Sequence, residues 1–194
     1  MASATAVDKK EAFRALAEEQ LPRLYSVARR LVGDDAEDAV QETLMKAYQK
    51  FDQLEDPAAG PAWLVSILVN SSRDLGRARA REPEKIAVED VDRFSLYKKI
   101  ATEDPFPYSD SLHIDFLERF ASNDVRRVLL LLPEMYRIPL VLVHMHGFST
   151  KEVAKITDAP LGTVLARLHR GRKLFEKTMW EYAERNGLLE EETR

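Results

Sequence analysis

The chain has 194 residues, 45% of them hydrophobic, and a formal net charge of −4. That length holds one medium domain or two small ones with real apolar cores. The absence of cysteine excludes disulfides, thiolate metal sites and cysteine nucleophiles, and the acidic balance excludes a chain coated in positive charge. No apolar run reaches the length of a membrane span, and the N-terminus lacks the apolar core of a secretory signal, so no membrane insertion and a cytoplasmic location are expected. The charge is uneven. Arginines cluster at 73–81 and 167–172 and acids at 34–42 and 82–92, so a basic footprint can coexist with an acidic whole.

Residues 8 to about 32 carry Phe13, Leu16, Leu24, Ala28 and Leu31 at helical spacing. Pro22 starts a second helix or kinks a single one, and Gly33 closes the stretch. Asp34 and Asp35 are the candidate caps of the next helix, AEDAVQETLMKAYQKF, with Val40, Leu44, Ala47 and Phe51 inward. Asp38, Glu42 and Met45 lie roughly opposite, with Glu37 and Gln41 on the flank. A solvated acidic face would look the same, but Met45 among the acids hints at a protein-binding surface.

Pro61 opens a third helix after a loop marked by Asp56-Pro57 and Gly60-Pro61. Trp63, Leu64, Ile67, Leu68 and Leu75 point inward, while Ser66, Asn70, Arg73 and Arg77 trace the other side. An arginine stripe beside Asn and Ser suits nucleic acid, although cations also favour a helix C-terminus. From Glu82 to about Ser111 the chain turns acidic and proline-bearing, with weak periodicity. It is read as a linker between two domains.

Helical periodicity resumes at Leu112–Phe120, and Asn123 or Asp124 caps VRRVLLLL. Pro133 opens PEMYRIPLVLVHMH, which Pro139 should kink and Gly147 should close. Ser149-x-x-Glu152 is a capping-box pattern that starts a short helix. Thr157-Asp158-Ala159 breaks that helix, and Pro160 suits the first turn of another. On this last helix Leu161, Val164 and Leu168 share one face. Gly162, Ala166, His169, Arg170 and Lys173 take the opposite face, with Thr163, Leu165 and Arg167 at its edges. Small residues permit close approach and arginines reach base edges and phosphates, as a helix in a major groove requires. A solvated cationic helix is the alternative. The pattern continues through Leu174, Phe175, Met179 and Trp180 to a stop at Asn186-Gly187.

No strand pattern or internal repeat appears. The fold expected is all-α, as two small helical domains at 1–82 and 122–194 joined by a flexible acidic linker at 83–121. His144-x-His146 invites a metal pair, but two residues apart on a helix the side chains diverge by about 200°. No phosphate-binding glycine loop or nucleophile motif is present. An enzyme, a metal site and a bound cofactor are therefore not expected. A repressor with a helical effector domain is a further class; it needs a ligand pocket or a dimer seam.

Taken in order, DDAEDAVQETLMKAYQKF, the Ala62-Trp63-Leu64…Asn70 helix, LPEMYR, GFSTKEVAKI and PLGTVLARLHRGR resemble an extracytoplasmic-function (group IV) sigma factor of bacterial RNA polymerase. The resemblance covers about residues 20–82 and 122–187. LHRGR and the Tyr182…Arg185-Asn186-Gly187 tail lean toward the redox-responsive actinobacterial subgroup. The resemblance implies a sigma-2-like first domain and a sigma-4-like second domain. It implies that Asp38, Gln41, Glu42 and Met45 dock on the coiled coil of the polymerase's largest subunit, and that the second domain meets the flap. Asn70, Ser71, Arg73, Asp74 and Arg77 would take the minus-10 element, with Trp63 in the core. Thr163, Arg167, His169, Arg170 and Lys173 would take the minus-35 element. The linker would thread toward the active site, and an anti-sigma factor would hold the chain inactive. Leu165-Ala166 departs from the polar-then-serine pair common in relatives, and Ser71-Ser72-Arg73-Asp74 departs from the commoner spelling, so both promoter preferences are open.

Overall fold

The structure is a computed structural model that describes residues 2–78 and 120–189. The linker reading and the Leu112–Phe120 helix lie outside the described residues, apart from Phe120, which is buried. Every regular element among the described residues is helical. The first part comprises α1 (Ala2–Val32), α2 (Ala36–Lys50) and α3 (Gly60–Ala78). The second comprises α4 (Ser122–Leu131), α5 (Glu134–Leu140), α6 (Thr150–Ile156) and α7 (Leu161–Arg185).

In the first part each helix packs against the other two. Leu24, Val27, Ala28 and Leu31 of α1 meet Ala39, Val40 and Ala47 of α2 and Leu64, Ile67 and Leu68 of α3 in one buried core. Helix α1 runs through Pro22 as one element, so of the two alternatives no second helix starts there. Gly33 turns the chain with φ +67°, a conformation that favours glycine. The expected caps are corrected: Asp35 occupies the N-cap position of α2 but makes no side-chain capping bond, because Gly33–Asp35 already forms a 3-10 turn. Trp63 is half-buried, 6.4 Å from the Phe51 ring, which in turn meets Phe13 at 5.3 Å.

In the second part α4 begins at Ser122 with Ala121 as N-cap, two residues before Asn123, the nearer of the expected caps. Helix α5 contains Pro139 and widens into a π turn at Val141–Met145. Proline lacks an N–H and its ring crowds the carbonyl four residues back. A wider turn beside it accommodates both, and Gly147 (φ +70°) then ends the helix as expected. Helix α7 is a single rod of 25 residues that ends at Asn186, where the sequence placed its stop. At Gly171 it passes so close to α5 that an added Cβ would sit 3.2 Å from Leu140 Cδ1 and 3.3 Å from the Tyr136 backbone oxygen.

Glu176 on α7 is pushed up to about 7 by burial, against the opposing pull of Arg172 and Lys173. Between the ordinary carboxylate value and about 7 the folded chain holds a proton that the unfolded chain has lost, so this group's stabilisation falls as pH rises through that window. Glu176→Gln is therefore expected to raise stability by about 1–2 kcal/mol at pH 8, and by little below pH 4.5. Thermal denaturation of both proteins across pH 4–8 checks this.

Candidate functional site

Three surfaces carry the residues singled out from the sequence. The first is the outer face of α2. Asp38, Gln41 and Met45 are exposed, Met45 at 54%. Gln41 donates to Glu37 at 3.4 Å. Glu42 is half-buried and pairs with Lys46 at 3.3 Å. Lys46 also lies 3.3 Å from Asp74 and 3.5 Å from the Ser71 hydroxyl on α3. Burial works against its charge, but Glu42 and Asp74 outweigh that and raise its pKa. One ammonium thus bolts the acidic helix to α3.

The second surface is the C-terminal half of α3. Asn70 and Asp74 are exposed. Ser71 corrects the sequence reading: it is fully buried, so its hydroxyl does not share the surface that Asn70 presents. Ser72 is buried too, and its hydroxyl has no partner among the described residues. Arg73 is three-quarters covered and donates from Nε to Glu134 of α5 at 3.0 Å. The side chain of Arg77 lies outside the described residues.

The third surface is the helix-turn-helix of α6 and α7. Ser149 accepts from the Glu152 amide while Glu152 accepts from the Ser149 amide, which completes the expected capping box. The turn passes through Asp158 with φ +49°, left-handed geometry that aspartate tolerates better than most residues. Val164 and Leu168 seal α7 against the core. Gly162, Leu165, Ala166, His169 and Arg170 are exposed, and Thr163 and Lys173 are half-buried. Arg167 turns away from this face. It lines a small cleft with Arg73, Met135, Ile138, Pro139, Thr157 and Val164, and its Nε is buried without a partner among the described residues.

These surfaces are not independent, because the second part of the chain closes on the first. Helix α6 packs on α3, and α4 packs on α1. Gly33 meets Leu130, whose Cδ1 would stand 2.9 Å from an added Cβ. Arg23 of α1 donates to the His146 carbonyl at 2.7 Å and stacks 4.1 Å over Phe148. The His146 ring is held down to about 4 by burial and by Arg30 and Arg23, so it stays neutral at pH 7. Its Nε2 is buried with no partner among the described residues. Sequence reasoning passed over Lys46, Arg23 and Glu134. The Glu42–Lys46 spacing signals a pair on one helix, but nothing local signals contacts 28, 123 or 61 residues apart.

The seam is expected to open in Glu134→Lys combined with Leu130→Asp. The first change sets a cation beside Arg73, and the second places a charge against Gly33. Native cysteine is absent, so dyes on cysteines introduced at exposed Gln49 and Lys151 report the two halves alone. Energy transfer should drop in the double variant, and an unchanged value would mean that the seam is held elsewhere.

The chain is similar to known proteins along both parts. Residues 16–82 match the family model Sigma-70 region 2, and residues 122–175 match Sigma-70, region 4. The ECF RNA polymerase sigma factor EcfG of Rhodopseudomonas palustris is 36% identical over 78% of this chain and 76% of its own. The ECF RNA polymerase sigma factor SigW of Bacillus subtilis is 27% identical over 88% of this chain and 90% of its own. Among solved structures, the sigma factor RpoE of Bartonella quintana, in complex with the anti-sigma factor NepR, superposes with a TM-score of 0.62 at 29% identity. It covers 87% of this chain and 96% of that one. Two sigma regions in order, an all-helical fold and a helix-turn-helix with an exposed cationic face therefore agree: the chain belongs to the extracytoplasmic-function (ECF) sigma factors, which direct RNA polymerase to initiate at specific promoters.

Proposed function

We propose that this sigma factor divides its work among the three surfaces as follows. Asp38, Gln41, Glu42 and Met45 on α2 dock on the basic coiled coil of the polymerase's largest subunit, and the second part meets the flap. Asn70, Arg73, Asp74 and Arg77 take the minus-10 element, with Ser71 supporting them from beneath. A base drawn out of the stack costs a few kcal/mol, which a fitted pocket and phosphate contacts must return. Thr163, His169, Arg170 and Lys173 take the minus-35 element, joined by Arg167 once the seam opens. The polymerase performs the chemistry, and this chain contributes no catalytic group. The observation that carries this reading is the arrangement of α2 and α3: an exposed acidic face with Met45, tied through Lys46 to the helix that presents Asn70 and Asp74.

The seam adds a step. Arg73 and Arg167 are engaged or buried between the two parts, so neither meets DNA until the parts separate. Core polymerase, by holding the two parts at separate docking points, supplies the binding energy that separates them. An anti-sigma factor would hold the closed form, and the likeness to a sigma factor solved with its anti-sigma factor supports that reading. With no cysteine in this chain, a thiol-based stress signal of the actinobacterial redox kind would be sensed in that partner.

Run-off transcription with bacterial core polymerase on a promoter library tests the assignment. Specific initiation should require the chain and fall at least tenfold on Asp38→Arg with Glu42→Arg, because each change sets a cation against a basic partner. DNA binding without core polymerase, and no initiation with it, would instead describe a repressor.

A further inference from the structure

Helix α7 exposes a leucine pair where a groove-reading helix meets bases. Leu161 is 38% and Leu165 49% exposed, four residues apart in its first two turns. At that spacing their side chains adjoin on one face. Gly162 and Ala166, both exposed, flank them and leave room for close approach. His169 and Arg170 are exposed one turn on, and Lys173 is half-exposed beyond them. The pair therefore sits inside a cationic rim, at the end of the helix that enters the groove first. Val164 and Leu168 already seal α7 to its own core, while Leu161 and Leu165 each keep more than a third of their surface outside it. Neither leucine nor alanine offers a hydrogen bond to a base edge. In the major groove the apolar feature that distinguishes one base is the thymine C5-methyl group.

We propose that Leu165, with Ala166 and Leu161 beside it, reads the minus-35 element by apolar contact with thymine methyl groups, while His169, Arg170 and Lys173 supply the polar and phosphate contacts. This rests on the assignment of α7 to the minus-35 element. Specificity at those positions then comes from methyl burial rather than from a hydrogen-bonded side chain. A polymerase holding this chain prefers thymine there and accepts 5-methylcytosine better than cytosine. Burial of one methyl is worth about fourfold in affinity.

The test uses holoenzyme assembled from core polymerase and the full chain. Promoter duplexes are first selected from a library randomised across the minus-35 element. Each selected thymine is then replaced singly by deoxyuridine, which removes the methyl and keeps every hydrogen-bonding edge. One or two positions should lose about fourfold in binding, and in Leu165→Ala holoenzyme the same replacements should become neutral. Circular dichroism confirms that this exposed substitution leaves the helix content intact. If every deoxyuridine replacement is neutral on duplexes that the holoenzyme still selects and transcribes, the methyl reading is overturned and the sigma assignment stands; the leucine pair is then open to a protein partner. If no duplex is selected with core polymerase present, the assignment of α7 fails and this inference fails with it.

Discussion

Arg73 stands where two demands on one helix meet. Helix α3 has to bury Leu64, Ile67 and Leu68 to hold the first part together, and under the proposed assignment it offers cations and amides to nucleic acid from the opposite side. In the closed chain that opposite side is not free. It receives α6, and Arg73 gives its Nε to Glu134. The rest follows from this shared surface. Ser71 and Ser72 are small and buried on α3, Arg167 turns into the cleft beside Arg73, and α1 offers Arg23 to the loop that precedes the helix-turn-helix. A side chain suited to a phosphate or a base suits a carboxylate equally well, so the surface proposed to read DNA is also the one that closes most readily on an acidic neighbour.

Much of the fold was legible because local chemistry set it. The Ser149–Glu152 capping box, the Gly33, Gly147 and Gly187 helix stops and the Pro61 helix start were all placed from residue type and spacing, and the inward stripes of α2 and α3 followed from period alone, whereas on α7 Val164 and Leu168 are buried but Leu161, expected on the same face, is exposed. The misses have local reasons as well. Asp34 and Asp35 have the chemistry of caps, but the 3-10 turn occupies the backbone they would have bonded. The continuation from Leu161 to the stop at Asn186-Gly187 was legible, since nothing between Leu161 and Arg185 breaks a helix: Gly171 is needed for close crossing rather than for a turn. The candidate site was legible as a list of faces, not as an arrangement. Asn70, Asp74, His169 and Arg170 are exposed as their helical phase requires. Burial of Ser71 and the inward turn of Arg167 depend on what packs against them, and those partners lie far along the chain.

Lys46 illustrates what such distant contacts add. Read along the chain, it is one more surface lysine on an amphipathic helix, paired with Glu42 one turn away. In the fold it also meets Asp74, so a face assigned to the polymerase and a face assigned to the promoter share one cation. A partner that drew Glu42 away from Lys46 would leave that ammonium to Asp74 and the Ser71 hydroxyl alone. Coupling of this kind is small, because the groups are partly solvated, and it acts on placement more than on stability.

The polar chemistry of the seam is on balance unfavourable. In its favour are the Arg73–Glu134 pair, part-exposed and worth about 0–1 kcal/mol, and Arg23 over Phe148, worth on the order of 1 kcal/mol. Against it are Arg167 Nε and His146 Nε2, buried without a partner among the described residues, each costing about 1–3 kcal/mol relative to water. Apolar contacts such as Leu130 on Gly33 then decide the sign. A seam of that kind closes when nothing competes for its surfaces and yields to a partner that binds the separated parts more tightly by a few kcal/mol, since a ligand shifts such an equilibrium only by its differential affinity. Arg167, short of a bond in the closed form, is also a group that gains one on opening, so under the proposed assignment promoter DNA favours the open form for the same reason that the closed form is poorly satisfied.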